Sequence, residues 1–123
     1  MAANYDRGLD GEQTAAGYLE QKGFEILAHR WRSGRKEIDL VARRGELVVF
    51  VEVKSRGSER FAPIETSVTE NKRKNLVEAA AGWLAQHGPG ESERQYRFDV
   101  ILVLGSDNDD TVSVEHIEDA FRA

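Results

Sequence analysis

The chain has 123 residues, 40% hydrophobic and 32% charged, with a net charge of −5 and no cysteine. This length and apolar share suit one domain with one core, and the missing cysteine excludes disulfides, thiolate nucleophiles and thiolate metal sites. No apolar run reaches membrane-spanning length and the start, MAANYDRGLDGEQ, has no apolar signal region, so the expectation is a cytoplasmic protein with no membrane partner.

In chain order, helical spacing runs from about Tyr5 to Gln21, and Gly23 suits the left-handed residue just past a helix end. Phe24 to Trp31 is read as a strand, and Gly34 marks a turn. Glu37 to Arg43 alternates like a strand, and Gly45-Glu46 reads as a tight hairpin into the next run. Leu47 to Val53 (LVVFVEV) is apolar on both faces, as a central buried strand is. A loop follows from Ser55 to Ile64, with Gly57 and Pro63, and Ser67-Val68-Thr69-Glu70 fits a capping box opening a helix to about His87. Gly88-Pro89-Gly90 ends that helix, Arg97 to Leu104 is a buried strand, and Gly105 to Asp110 is an acidic turn. Val112 to Ile117 reads as a short strand before a frayed C-terminal helix. The expected fold is a single α/β domain over residues 1–123, a mixed β-sheet flanked by α-helices.

Charge is unevenly spread. From His29 to Lys74 there are 12 Lys/Arg against 7 Asp/Glu, and the rest of the chain is strongly acidic, notably at Asp107, Asp109, Asp110, Glu115, Glu118 and Asp119. The midsection is a basic stretch in an acidic protein.

Residues two apart on a strand share a face, so Glu52 and Lys54 point the same way as Val48 and Phe50. A carboxylate and an ammonium at the end of a buried strand are costly unless paired or metal-bound. A structural ion pair is the plain alternative. Glu37 and Asp39 repeat the spacing on the preceding strand, and the short hairpin can place Asp39 beside Glu52. Close carboxylates repel, so their juxtaposition usually calls for a cation. Oxygen ligands with only scattered histidines (His29, His87, His116) favour Mg²⁺ or Mn²⁺ over Zn²⁺. Glu12 adds a third carboxylate on the inward stripe with Ala15, Ala16 and Leu19; Lys72 shares a stripe with Leu76, Ala79 and Trp83, which aims its ammonium at the sheet.

In GEQTAAGYL (11–19), EIDLVARRGELVVFVEVKSR (37–56), NKRKNLVEAAAGWL (71–84) and RFDVILV (97–103), the chain resembles the YraN-like family. That family belongs to the restriction-endonuclease-like superfamily and is similar to archaeal Holliday junction resolvases. The resemblance implies a restriction-endonuclease-like fold and an Asp, Asp/Glu and Lys site for Mg²⁺. Asp39 and Glu52 would be metal ligands, Lys54 would steady the attacking water or the charge building on the phosphate, and Glu12 matches the helical glutamate of the resolvase-like subgroup. Two positions depart from the pattern: Ile38 stands where the superfamily has proline, and Lys36 where the family usually has glycine.

The expectation is therefore an Mg²⁺- or Mn²⁺-dependent endonuclease acting on DNA, branched or structured DNA included. Asp39, Glu52, Lys54 and Glu12 carry the chemistry, and Asp39, Glu52 and Glu12 hold the metal. Arg30, Arg32, Arg35, Arg56, Lys72, Arg73 and Lys74 are candidate phosphate contacts, which position DNA without reading bases. The alternative is a non-catalytic nucleic-acid-binding or adaptor module that keeps the fold, which the low pI of about 5.2 favours. A homodimer is compatible with the sequence.

Overall fold

The computed structural model describes residues 3–56, 69–87, 95–105 and 112–122, without the side chains of residues 3–10 and 56. The loop bearing Gly57 and Pro63, the Ser67-Val68 half of the expected capping box, the Gly88-Pro89-Gly90 break and the acidic turn with Asp107, Asp109 and Asp110 lie outside the described residues. The elements are α1 (Ala3–Gln21), β1 (Glu25–Ser33), β2 (Lys36–Arg44), β3 (Leu47–Arg56), α2 (Glu70–His87), β4 (Gln95–Gly105) and β5 (Val112–Phe121).

Helix α1 stops where Gly23 adopts φ 93°. There Phe24 N–H bonds to the Leu19 carbonyl and Gly23 N–H to the Glu20 carbonyl, each at 3.0 Å, satisfying carbonyls that the helix leaves unpaired. Phe24 and Leu19 pack in the same cluster, which completes the cap. Helix α2 begins two residues later than the expected box, with Ser67 as its cap, implies. Thr69 is its cap, accepting the Lys72 N–H at 3.1 Å through its hydroxyl.

The five strands form one sheet in the order β1-β2-β3-β4-β5. β1, β2 and β3 form an antiparallel meander; β4 runs parallel to β3 and β5 returns antiparallel to β4. The parallel step needs a crossover, and α2 lies on it. The sheet separates two core layers. Val48, Phe50, Leu76, Ala79, Ala80 and Trp83 pack beneath α2. Ala15, Ala16, Leu19, Val49, Val51 and Ile101 pack beneath α1. Phe50 and Val49 fall in different layers, as the two-residue strand period requires.

The expected C-terminal helix is corrected: Val112 to Phe121 is one strand. Phe121 pairs with Phe98, and the two rings stack with centroids 5.0 Å apart. Asp99 accepts the Asp119 N–H at 3.0 Å, so a distant strand overrides the helical preference of the last residues. Among the described residues no helix is long and apolar enough to cross a membrane.

Candidate active site

The β2–β3 ladder ends at Leu40↔Val51, one position short of Asp39 and Glu52. On the other side of β2, the pairing steps from His29↔Leu40 to Trp31↔Ile38, passing over Arg30 and Asp39. Arg30 is in the left-handed region with φ 50°. Ile38 and Val41, three apart, both face the α2 layer, so β2 turns over at Asp39-Leu40. The sheet thus opens at Asp39. The Val53 N–H, past the last ladder pair, is satisfied instead by Asp39 Oδ2 at 2.8 Å.

Glu52 is 3% exposed and projects under the start of α2. Its Oε2 meets Lys54 Nζ and Lys72 Nζ, each at 3.3 Å. One lysine comes from the same strand face two residues on, the other from the first turn of α2, as the stripe through Leu76, Ala79 and Trp83 anticipates. A buried carboxylate with two ammonium partners is compensated for its desolvation.

Asp39 is held differently. Burial, then the Glu52 charge, pushes its carboxyl up to about 7; the Val53 N–H and Lys72 oppose this, and Glu12 adds to it. The carboxyl is therefore near its midpoint at neutral pH, and Asp39, Glu52, Glu12 and Lys72 share one electrostatic neighbourhood. Glu12 itself is bound by Arg30, Nε to Oε1 at 2.9 Å. Helix α1 comes close to β3 beside Lys54: a Cβ on Gly11 would collide with the Ser55 hydroxyl.

Among the described residues no three acidic or histidine side chains form a metal-holding group. The two carboxylates brought together are Asp39 and Glu52, with Glu12 engaged by Arg30. Two carboxylates match Mg²⁺ or Mn²⁺, which commonly take one or two protein carboxylates and complete their shell with water and substrate phosphate. The residues fit such an ion.

The expected phosphate contacts separate. Lys72 is in the site. Arg30 borders it, half exposed at 48% of its side chain. Arg32 is spent on an exposed pair with Glu37 at 3.2 Å. Arg73 lies over the Phe121 ring at 5.6 Å. Arg35 and Lys74 are exposed. The side chain of Arg56 lies outside the described residues.

One polar cluster went unassigned from the sequence. Asp99, 1% exposed, accepts two bonds from Arg97, Nε and Nη2 at 2.8 Å each, and a contact from His116 Nε2 at 2.7 Å. His116 Nδ1 meets the Tyr18 hydroxyl at 3.1 Å, tying β5 to α1. Its signal was an acid inside the apolar run RFDVILVL, the same kind of signal that marks Glu52.

A family model described as "Uncharacterised protein family UPF0102" matches residues 11–103, a span that includes Glu12, Asp39, Glu52, Lys54 and Lys72. A UPF0102 protein of Bradyrhizobium diazoefficiens is 45% identical over 101 residues, covering 82% of this chain and 74% of its own. One from Rhodopseudomonas palustris is 40% identical over 121 residues, 98% of this chain and 87% of its own. One from Phocaeicola vulgatus is 38% identical over 122 residues, 98% and 96% respectively.

Proposed function

Because the chain belongs to the uncharacterised protein family UPF0102, the YraN-like family, we propose that it is a divalent-metal-dependent phosphodiesterase acting on DNA, branched or structured DNA among its substrates. The observation that carries this reading is the opening of the sheet at Asp39. It gathers a carboxyl from within β2 that burial and Glu52 push up to about 7, a buried glutamate and a lysine from within β3, and a second lysine from the first turn of α2.

Asp39 and Glu52 would hold the ion through the oxygens not engaged by Val53 and the lysines. A bound divalent cation supplies Lewis acidity at the scissile phosphate and lowers the pKa of a water. Lys54, released from Glu52, presents its ammonium where negative charge grows on the phosphate. Lys72, at 42% side-chain exposure, is able to meet a non-bridging phosphate oxygen from the solvent side. Arg30 and the exposed Arg35 and Lys74 orient the backbone without reading bases.

The rival is a DNA-binding module that does not cut. It draws on the ion pairing of Glu52, which already has two cations without a metal. The test is a panel of linear, flapped and four-way DNAs incubated with and without Mn²⁺. Cleavage that requires Mn²⁺ and Asp39 supports the enzyme; binding without cleavage across the panel establishes the module.

A further inference from the structure

A second cleft lies between β1, β2 and the last turn of α2. Leu27, Ala28, Trp31, Arg43, Trp83 and His87 line it, and its volume is about 330 Å³, in the range of small-ligand sites. Two irregularities in β1 build it. The register shift between Ile26 and Ala28 lets Leu27 and Ala28 both pack toward the α2 layer. The left-handed Arg30 then returns Trp31 to the same layer. Gly82 lets the helix close on this strand, since a Cβ there would lie 2.6 Å from Ser33 Oγ and 3.4 Å from the Trp31 ring.

The walls are aromatic. His87 stacks on Trp83 with centroids 4.6 Å apart and meets Trp31 edge-on at 6.4 Å. His87 is exposed and Trp31 half-buried, so the cleft presents aromatic surface to solvent. Arg43 sits at its mouth, paired at 3.0 Å with a Glu25 side chain that is 65% exposed. Such an exposed pair is weak, so an entering anion can take the guanidinium from it. Aromatic surface beside an arginine suits a planar base carrying a phosphate.

We propose that this cleft holds one unpaired nucleotide of a DNA strand, its base against Trp31 and His87 and its phosphate on Arg43. This rests on the DNA reading of the Asp39 site and narrows it to substrates with a single-stranded segment. Helix α2 links the two places: Lys72 is in its first turn and His87 ends it, so about 22 Å of helix separates them. A strand of several nucleotides spans that distance.

Trp31 and Trp83 are the two tryptophans of the chain, so its intrinsic fluorescence reports on this cleft. The intact protein is titrated in EDTA with fluorescein-labelled oligo(dT)₈, following anisotropy, and with unlabelled oligo(dT)₈, following tryptophan emission. Saturable quenching is expected at the same midpoint as the anisotropy change, and none with inorganic phosphate or a blunt duplex at equal ionic strength. Replacing His87→Ala is expected to weaken binding about 5- to 150-fold, the span found for losing one stacking platform. His87→Phe should restore it, and Arg43→Gln should weaken it with a shallower salt dependence. Circular dichroism of each variant separates these losses from misfolding. Anisotropy change without quenching, equal quenching by the duplex, or His87→Ala binding like wild type would each overturn the proposal, as would no binding of oligo(dT)₈. EDTA keeps the outcomes apart. Metal-dependent cleavage on the DNA panel without quenching sinks the cleft alone, and quenching without cleavage sinks the hydrolytic reading alone.

Discussion

Asp39→Asn tests the electrostatics of the site without disturbing its shape, because an amide oxygen can still accept the Val53 N–H. Burial and the Glu52 charge raise the Asp39 carboxyl from 3.8 to about 7. In the unfolded chain it ionises near its ordinary value of about 3.9. The native state therefore holds this proton more tightly than the unfolded state. The resulting stability is fully present below pH ~4 and is lost as pH rises to about 7, at up to about 1.4 kcal/mol per pH unit. Over the full interval the ionised form costs roughly 4 kcal/mol, or about 2–4 kcal/mol once solvent reaches the partly open site. In metal-free buffer at pH 8, Asp39→Asn should be more stable than wild type by that amount, and the two should converge near pH 4. Urea unfolding in EDTA at steps from pH 4 to 8.5 measures the difference, with equal m-values confirming that the unfolded states match. Groups common to both proteins cancel. Adding millimolar Mn²⁺ at pH 8 should then raise wild-type stability and leave the variant unchanged, because only the wild type offers both carboxylates. Stability curves that run parallel across this pH range would refute the argument, because Asp39 would then be neither desolvated nor opposed by Glu52.

Lys54→Ala should keep DNA and metal binding near normal while cleavage drops by about 10²–10³-fold, the effect of removing one preorganised electrostatic donor; loss of binding in proportion to misfolding would make Lys54 only a partner for Glu52. Asp99 is pushed up by burial, but bonds from His116, Arg97 and the Asp119 N–H hold its carboxyl below the usual range. Its contribution is present above pH ~4 and lost as pH falls below it. Asp99→Ala should cost about 3–5 kcal/mol at pH 7, read by urea unfolding, because Arg97, His116 and the Asp119 N–H all lose their shared acceptor and Arg97 keeps only the 3.8 Å contact with Glu118. Gly11→Ala should cost about 1–3 kcal/mol by crowding Ser55, and the added change Ser55→Gly should recover most of it in the same assay.

Much of the site was legible because its chemistry breaks a strong local pattern. Glu52 and Lys54 interrupt an apolar strand, and the two-residue period assigns their face without knowledge of the fold. Asp39 was reachable because a two-residue turn at Gly45 sets the register of the hairpin. Lys72 followed from helical spacing. What escaped depends on partners far away in the chain. The last residues look helical in isolation, but Phe98 and Asp99 hold Phe121 and Asp119 in a strand. The left-handed Arg30 and the turnover of β2 have no local signature, since neither residue there is glycine. The cap of α2 is Thr69 although the capping-box pattern marks Ser67, because Thr69 is followed three residues on by Lys72, whose N–H its hydroxyl accepts without any reciprocal Glu or Gln.

The parallel β3–β4 step also bears on how the molecule assembles. The hairpin partners of the β1–β3 meander are close in sequence, down to Arg44↔Leu47, whereas every β3–β4 pair bridges the whole crossover, beginning at Leu47↔Gln95. Local pairings close with little loss of chain entropy and distant ones with more. The meander is therefore expected to lead, with φ-values higher for Val41→Ala than for Ile101→Ala; the reverse ranking would contradict this order. Asp39 and Glu52 then converge with Lys54 beside them but Lys72 still on an undocked helix, so the like charges meet with only one of Glu52's two ammonium partners in place. Folding should accordingly be slowest at alkaline pH and low salt, where that encounter is least screened, so the site leaves a kinetic imprint as well as an equilibrium one.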